Sequence, residues 1–116
     1  MNIVVVGLLE VELLVIKKTI TEADIDIIRD YSNLKLESYD LLIIDPFTLN
    51  KSDLEIILME VKNNNTLKVI VLTALKHIEL AELKMRYEKY ISKPYLINEL
   101  QEVVAQIKNN SIKNYK

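Results

Sequence analysis

The stretch Tyr39-Asp40-Leu41-Leu42-Ile43-Ile44-Asp45-Pro46 decides how this chain folds. Four apolar residues, Leu41 to Ile44, follow one another with no polar residue between them. A strand with one wet face alternates, whereas an unbroken run of branched apolar residues suits a strand covered on both sides. The expectation is therefore a parallel sheet sandwiched between helices. The run ends on a carboxylate, Asp45, and Asp-Pro starts a loop, so the acid stands where the strand leaves the sheet.

Working outward, two further runs share this character: Ile3 to Val6 and Leu67 to Leu72. A weaker one, Ile25 to Ile28, follows Asp24 and fits an outer strand, and a brief one, Tyr90 to Ser92, ends at Lys93-Pro94. Between the runs the apolar spacing becomes helical. Leu9, Leu13, Ile16 and Ile20 form one stripe, and Leu54, Ile57, Leu58 and Val61 another, with Ser52 and Glu55 ahead of it as a capping box. Leu100, Val103, Val104 and Ile107 form a third, with Asn98 as its cap. The stretch from His77 to Met85 is helical in composition, and Asn63-Asn64-Asn65 is a turn. The connection from Asp30 to Tyr39 is too short for a full helix, so the second helix is expected to shrink to a turn or a loop. Strand and helix thus alternate about five times, the pattern of a three-layer, doubly wound α/β fold on a five-stranded parallel sheet. Ligands of such sheets bind beyond the carboxyl ends of the strands. Here that edge carries Gly7-Leu8, Asp45, Thr73 and Lys93.

The bulk properties narrow the function. A length of 116 residues is that of one domain, and 50% hydrophobic residues are enough to build its core. Residues 1–108 are expected to form that domain and 109–116 a polar C-terminal tail or the start of a linker. With no cysteine, thiol catalysis and thiolate metal sites are excluded, and one histidine, His77, cannot build a His-based metal site. Lysine and glutamate are interspersed at a net charge of -2, which gives no footprint for nucleic acid. Glu10 and Glu12 interrupt the N-terminal apolar run too soon for a signal peptide or a membrane span. The expected compartment is the cytoplasm.

A carboxylate, a hydroxyl and an ammonium at one sheet edge suit a phosphoryl group: Asp45 to accept it, Thr73 to hydrogen-bond an oxygen, Lys93 to offset the charge. Three segments then carry a specific likeness. Tyr39 to Asp45 resembles the central strand of response-regulator receiver domains of bacterial two-component systems, which ends in the phosphorylated aspartate. Leu67-Lys68-Val69-Ile70-Val71-Leu72-Thr73-Ala74 resembles their fourth strand and its hydroxyl residue. Tyr90-Ile91-Ser92-Lys93-Pro94-Tyr95 is similar to their fifth, with an aromatic switch residue, a lysine and a proline whose peptide bond is usually cis. The likeness runs over roughly residues 2 to 108. It implies a flavodoxin-like sheet of strand order 2-1-3-4-5, Asp45 as the phospho-acceptor position, Thr73 and Lys93 as its phosphate-site partners, and Tyr90 as the switch aromatic.

The departures matter as much. Receivers carry two adjacent acidic residues after the first strand, which hold a Mg²⁺ together with the acceptor carboxylate. This chain has Gly7 and Leu8 there, and neither offers a side-chain oxygen to an ion that demands several hard ligands. Asp45 and the carbonyl of Phe47, the family's remaining ligands, make a poor site alone, and Glu10 and Glu12 are expected to lie out of reach. No cofactor is therefore expected. Without a cation, an anionic nucleophile meets an anionic donor against a repulsion of roughly 1 kcal/mol in water at ~4 Å, and several times that in a drier pocket. Asp45 and Lys93, deprived of competing partners, are expected to pair directly.

Each residue also has a plainer reading. Asp45 suits a loop start, Thr73 a helix cap, Lys93 a solvated surface and Tyr90 a packed aromatic. Gly7 lets the chain turn off a buried strand. The reading that joins them is an atypical pseudo-receiver, not an enzyme. It would act through a protein partner or a homodimer on the family's fourth helix, fifth strand and fifth helix, with Tyr87, Tyr90 and Tyr95 as contact residues. The alternative is a working switch phosphorylated at Asp45 by a histidine kinase. A nucleotide-binding or redox flavodoxin-like protein fits worst, because Gly7 is the chain's one glycine and no glycine-rich phosphate loop exists.

Overall fold

The computed structural model describes residues 1–21, 23–74, 81–94 and 97–113, the last four of these by backbone alone. Its elements, in chain order, are β1 (Asn2–Val6), α1 (Glu10–Thr19), β2 (Asp24–Ile27), β3 (Leu41–Ile44), a 3₁₀ turn (Pro46–Thr48), α2 (Lys51–Asn63), β4 (Lys68–Thr73), β5 (Lys89–Ser92) and α3 (Ile97–Lys113). The five strands form one sheet in the order β2-β1-β3-β4-β5. Every pairing is parallel. This is the expected flavodoxin-like topology.

The unbroken apolar runs have the predicted cause. Alternate residues of the inner strands point to opposite faces, and both faces are covered. Ile3, Val5, Leu41, Ile43, Ile70 and Leu72 join Leu13 and Ile16 of α1 and Leu100, Val104 and Ile107 of α3 in one cluster. Val4, Val6, Leu42, Ile44, Val69 and Val71 join Ile57 and Val61 of α2 in a second. The outer strand β2 alternates instead, Asp24 and Asp26 facing water and Ile25 and Ile27 half-buried.

The second helix of the expected pattern is absent: residues 28–40 run as bends and turns. Leu36 anchors this connection. Its side chain is fully buried in the second cluster, and its N–H donates to Glu60 Oε1 of α2 at 2.9 Å. The Tyr39 hydroxyl donates to Asp26 Oδ2 at 2.8 Å, tying the loop's far end to β2.

Several boundaries differ from expectation. The cap of α2 is Asn50, whose Oδ1 accepts from Asp53 N at 2.8 Å, while Ser52 already lies within the helix. The reason is backbone conformation: Asn50 is the last extended residue before the helix, so its side chain faces the free N–H groups. Asn98 lies inside α3, which begins at Ile97, and so caps nothing. The backbone of α3 also continues past Lys108 to Lys113. Of the stretch from His77 to Met85, residues 77–80 lie outside the described part. Ala81 and Glu82 are helical, and the chain then turns through Lys84, at φ 55°, before Met85. Among the described residues no helix is long and apolar enough to cross a membrane.

Because Leu36 is buried like a strand residue although it sits in a loop, Leu36→Ala is expected to cost about 3 kcal/mol. Its exposed neighbours tested the same way, Lys35→Ala and Glu37→Ala, should stay within about 0.5 kcal/mol. Urea denaturation of the three variants measures the contrast.

Candidate functional site

At the carboxyl edge of the sheet, β3 delivers Asp45, β4 delivers Thr73 and the residue after β5 is Lys93. Register fixes their proximity. Ile44 pairs with Val71, and Thr73 pairs with Ser92, so Asp45, Thr73 and Lys93 leave adjacent strands with a stagger of one residue at each step. Asp45 is buried, with 2% of its surface exposed, yet both its carboxylate oxygens are satisfied. Oδ1 accepts from the Thr73 hydroxyl at 2.7 Å and from Phe47 N at 3.0 Å. Oδ2 accepts from Lys93 Nζ at 2.7 Å. The expected direct ion pair is therefore present, and the Lys93-Pro94 peptide bond is cis.

The fourth member was not expected. Glu12 Oε1 lies 3.0 Å from Lys93 Nζ, so the ammonium sits between two carboxylates. The expectation that Glu12 would lie out of reach is overturned. Helix α1 starts at Glu10, which makes Glu12 its third residue, and the same oxygen accepts from Leu9 N at 3.1 Å. A glutamate at that position folds back over the helix start, and here folding back carries it to Lys93. The capping spacing was a usable signal. Glu10 does point away, pairing with Arg29 at the exposed surface.

Lys93 feels opposing effects. Burial pushes its ammonium toward the neutral form, but the hydrogen bonds and charges of Asp45 and Glu12 outweigh burial and hold it above the usual lysine value. The folded state thus binds this proton more tightly than the unfolded chain does.

The metal-binding half of the receiver pattern is structurally closed. Gly7 has φ 79°, and a Cβ there would stand 2.6 Å from both the Asp45 carbonyl oxygen and Thr48 Oγ1. Thr48 Oγ1 donates to the Gly7 carbonyl at 2.6 Å, filling the space beside it. Leu8 is half-buried against the first core cluster. Neither position offers an oxygen from a side chain, and the two nearby carboxylates are already joined through an ammonium. Among the described residues no three acidic or histidine side chains converge as a metal site. These residues do not fit Mg²⁺.

Tyr90 is half-buried against the second cluster rather than freely exposed, and Tyr87 is 37% exposed. Tyr95 and His77 lie outside the described residues.

No protein-family model matches the chain, and no curated protein is significantly similar to it. Solved structures do match. A CheY-like response regulator receiver domain from Methanospirillum hungatei aligns at TM-score 0.75 and 16% identity, over 97% of this chain and 97% of that one. A response regulator from Thermotoga maritima aligns at 0.72 and 24%, over 91% and 95%. A candidate pilus assembly protein from Burkholderia thailandensis aligns at 0.74 and 15%, over 94% and 98%. At these identities the likeness establishes the receiver fold.

Replacing Lys93 by methionine leaves two carboxylates facing each other without a cation and is expected to cost roughly 3 kcal/mol near neutrality. Because the folded-state value is raised, Lys93's contribution is complete below the ordinary lysine value of about 10.4 and fades as pH climbs through the higher folded value. The gap between wild type and Lys93→Met should therefore narrow only in alkaline solution, above about pH 10.4. Denaturation curves of both proteins from neutral to strongly alkaline pH check this. The difference between them isolates Lys93 from Tyr31 and Tyr39, whose hydroxyls are also held above their usual value: Tyr31 mainly by burial, Tyr39 mainly by its bond to Asp26.

Proposed function

We propose that the chain is an atypical receiver domain of two-component signalling that works through protein contacts and takes up phosphate weakly or not at all. One observation carries this reading: Lys93 is held by Asp45 at 2.7 Å and by Glu12 at 3.0 Å, while the acid-pair positions are Gly7 and Leu8. Asp45 corresponds to the phospho-acceptor position, with Thr73 and Lys93 as phosphate-site partners and Tyr90 as the switch aromatic. Each of these groups is retained. What the chain lacks is the acidic pair that would hold a cation to let an anionic donor approach Asp45, whose own charge already faces Glu12 across the lysine. An incoming phosphoryl group would have to displace Asp45 or Glu12 from that ammonium and bring further negative charge into a buried place. The domain therefore holds one conformation and presents a constant surface.

The receiver fold supports a signalling role over a catalytic one, and the expected partners are proteins, a histidine kinase or an output protein among them. The expected setting is the cytoplasm. The fourth helix, fifth strand and fifth helix of the family pattern correspond to residues near Tyr87, Tyr90 and α3. The alternative, a switch driven by phosphorylation of Asp45, draws its support from the intact Asp45–Thr73–Lys93 constellation.

Incubation with acetyl phosphate and Mg²⁺ followed by intact-mass measurement separates the two. An unchanged mass is expected. A gain of one phosphoryl group that disappears in Asp45→Ala establishes the switch instead.

A further inference from the structure

Helix α1 has two apolar faces, and the fold covers one. Leu13 and Ile16 point into the first core cluster. On the opposite side Val11, Leu14 and Val15 are 64%, 59% and 42% exposed. Their spacing of three and four residues makes one continuous stripe, and Lys18 extends it with a long alkyl stem. A ten-residue helix gains nothing in a monomer from three large aliphatic side chains in water. Contiguous exposed apolar surface of this kind marks a contact site.

The charges on the same helix indicate what covers it. Glu10 stands at its first turn and Lys17 and Lys18 at its last. Glu10 and Lys17 are seven residues apart, so they border the stripe along the same flank. When two helices pair antiparallel about a two-fold axis, equivalent flanks meet. Each Glu10 then faces the other copy's Lys17, and apolar stripe lies on apolar stripe. Parallel two-fold pairing would instead set each flank against the other copy's opposite flank, where Glu10 and Lys17 would not meet. The pattern is self-complementary in one orientation only, as an isologous interface requires. Glu10 also pairs with Arg29, but both side chains are well exposed, and such surface pairs are weak enough to be shared.

We propose that this outer face of α1 is the contact between two antiparallel copies of the chain. The surface lies on a different element from the Tyr87–Tyr90 region. Its position on one short helix makes the dimer weak, because stable interfaces bury about 800 Å² per partner and this helix is only about 15 Å long.

Sedimentation equilibrium of the full chain from micromolar to millimolar concentration tests this, with thermal melts as the control for folding. Concentration-dependent dimerisation is expected. Leu14→Glu, at an exposed position, should weaken it at least about tenfold, equivalent to ~1.4 kcal/mol, without lowering the melting temperature. Glu10→Lys and Lys17→Glu should each weaken it severalfold, and the double variant should recover wild-type affinity. A chain monomeric at every concentration overturns the proposal. So does a dimer indifferent to Leu14→Glu, which would place the contact on another face, and so does a double variant no better than the single ones, which would exclude the antiparallel orientation.

Discussion

The carboxyl edge of this sheet is held together by the ammonium group of Lys93. It follows β5 in sequence, yet one partner stands just past β3 and the other lies in α1, so a single cation links three places distant along the chain. Burying a charge is costly unless it is paired and hydrogen-bonded, and each member here is. Asp45 is satisfied by Thr73, Phe47 and Lys93, and Glu12 by Leu9 and Lys93. Among the described residues no buried side-chain polar atom lacks a partner. The groups that could have received a ligand spend their hydrogen bonds on one another. The site is satisfied internally, and this limits what it can do with anything from outside.

That closure depends on the layers beneath it. Each inner strand is apolar on both faces, so the sheet can slide by even one residue only by dragging polar groups such as Asp45 or Asp40 into the core. The register that brings Asp45, Thr73 and Lys93 together is therefore defended by the whole hydrophobic interior, not by the polar contacts alone. Helix α1 has a double part. Its inner face seals the core, and the glutamate of its first turn completes the ion cluster.

The readable parts of this molecule are those governed by short-range pattern. Unbroken runs such as Leu41 to Ile44 announce a doubly covered sheet because nothing else suits them, and the residues just past those runs announce the site because parallel strands all end on one side. Glu12 was expected out of reach because its reach depends on where α1 begins: as the third residue of the helix it folds back, whereas one turn later it would face solvent. The caps of α2 and α3 were misplaced for a related reason, since Asn50 and Ser52 are both good capping residues and only the backbone angles choose between them. The loss of the second helix was legible from length, but Leu36 as the anchor of the replacing loop was not, because its burial rests on packing from distant strands and on Glu60 of α2.

Gly7 makes this corner of the sheet edge intolerant of side chains. The left-handed backbone, the Asp45 carbonyl and Thr48 together exclude even a methyl group there. Leu8, the next residue, is packed against the hydrophobic interior. Installing two acidic side chains at these positions would demand that a backbone twist, a threonine contact and a leucine all change together. The corner therefore resists remodelling one residue at a time.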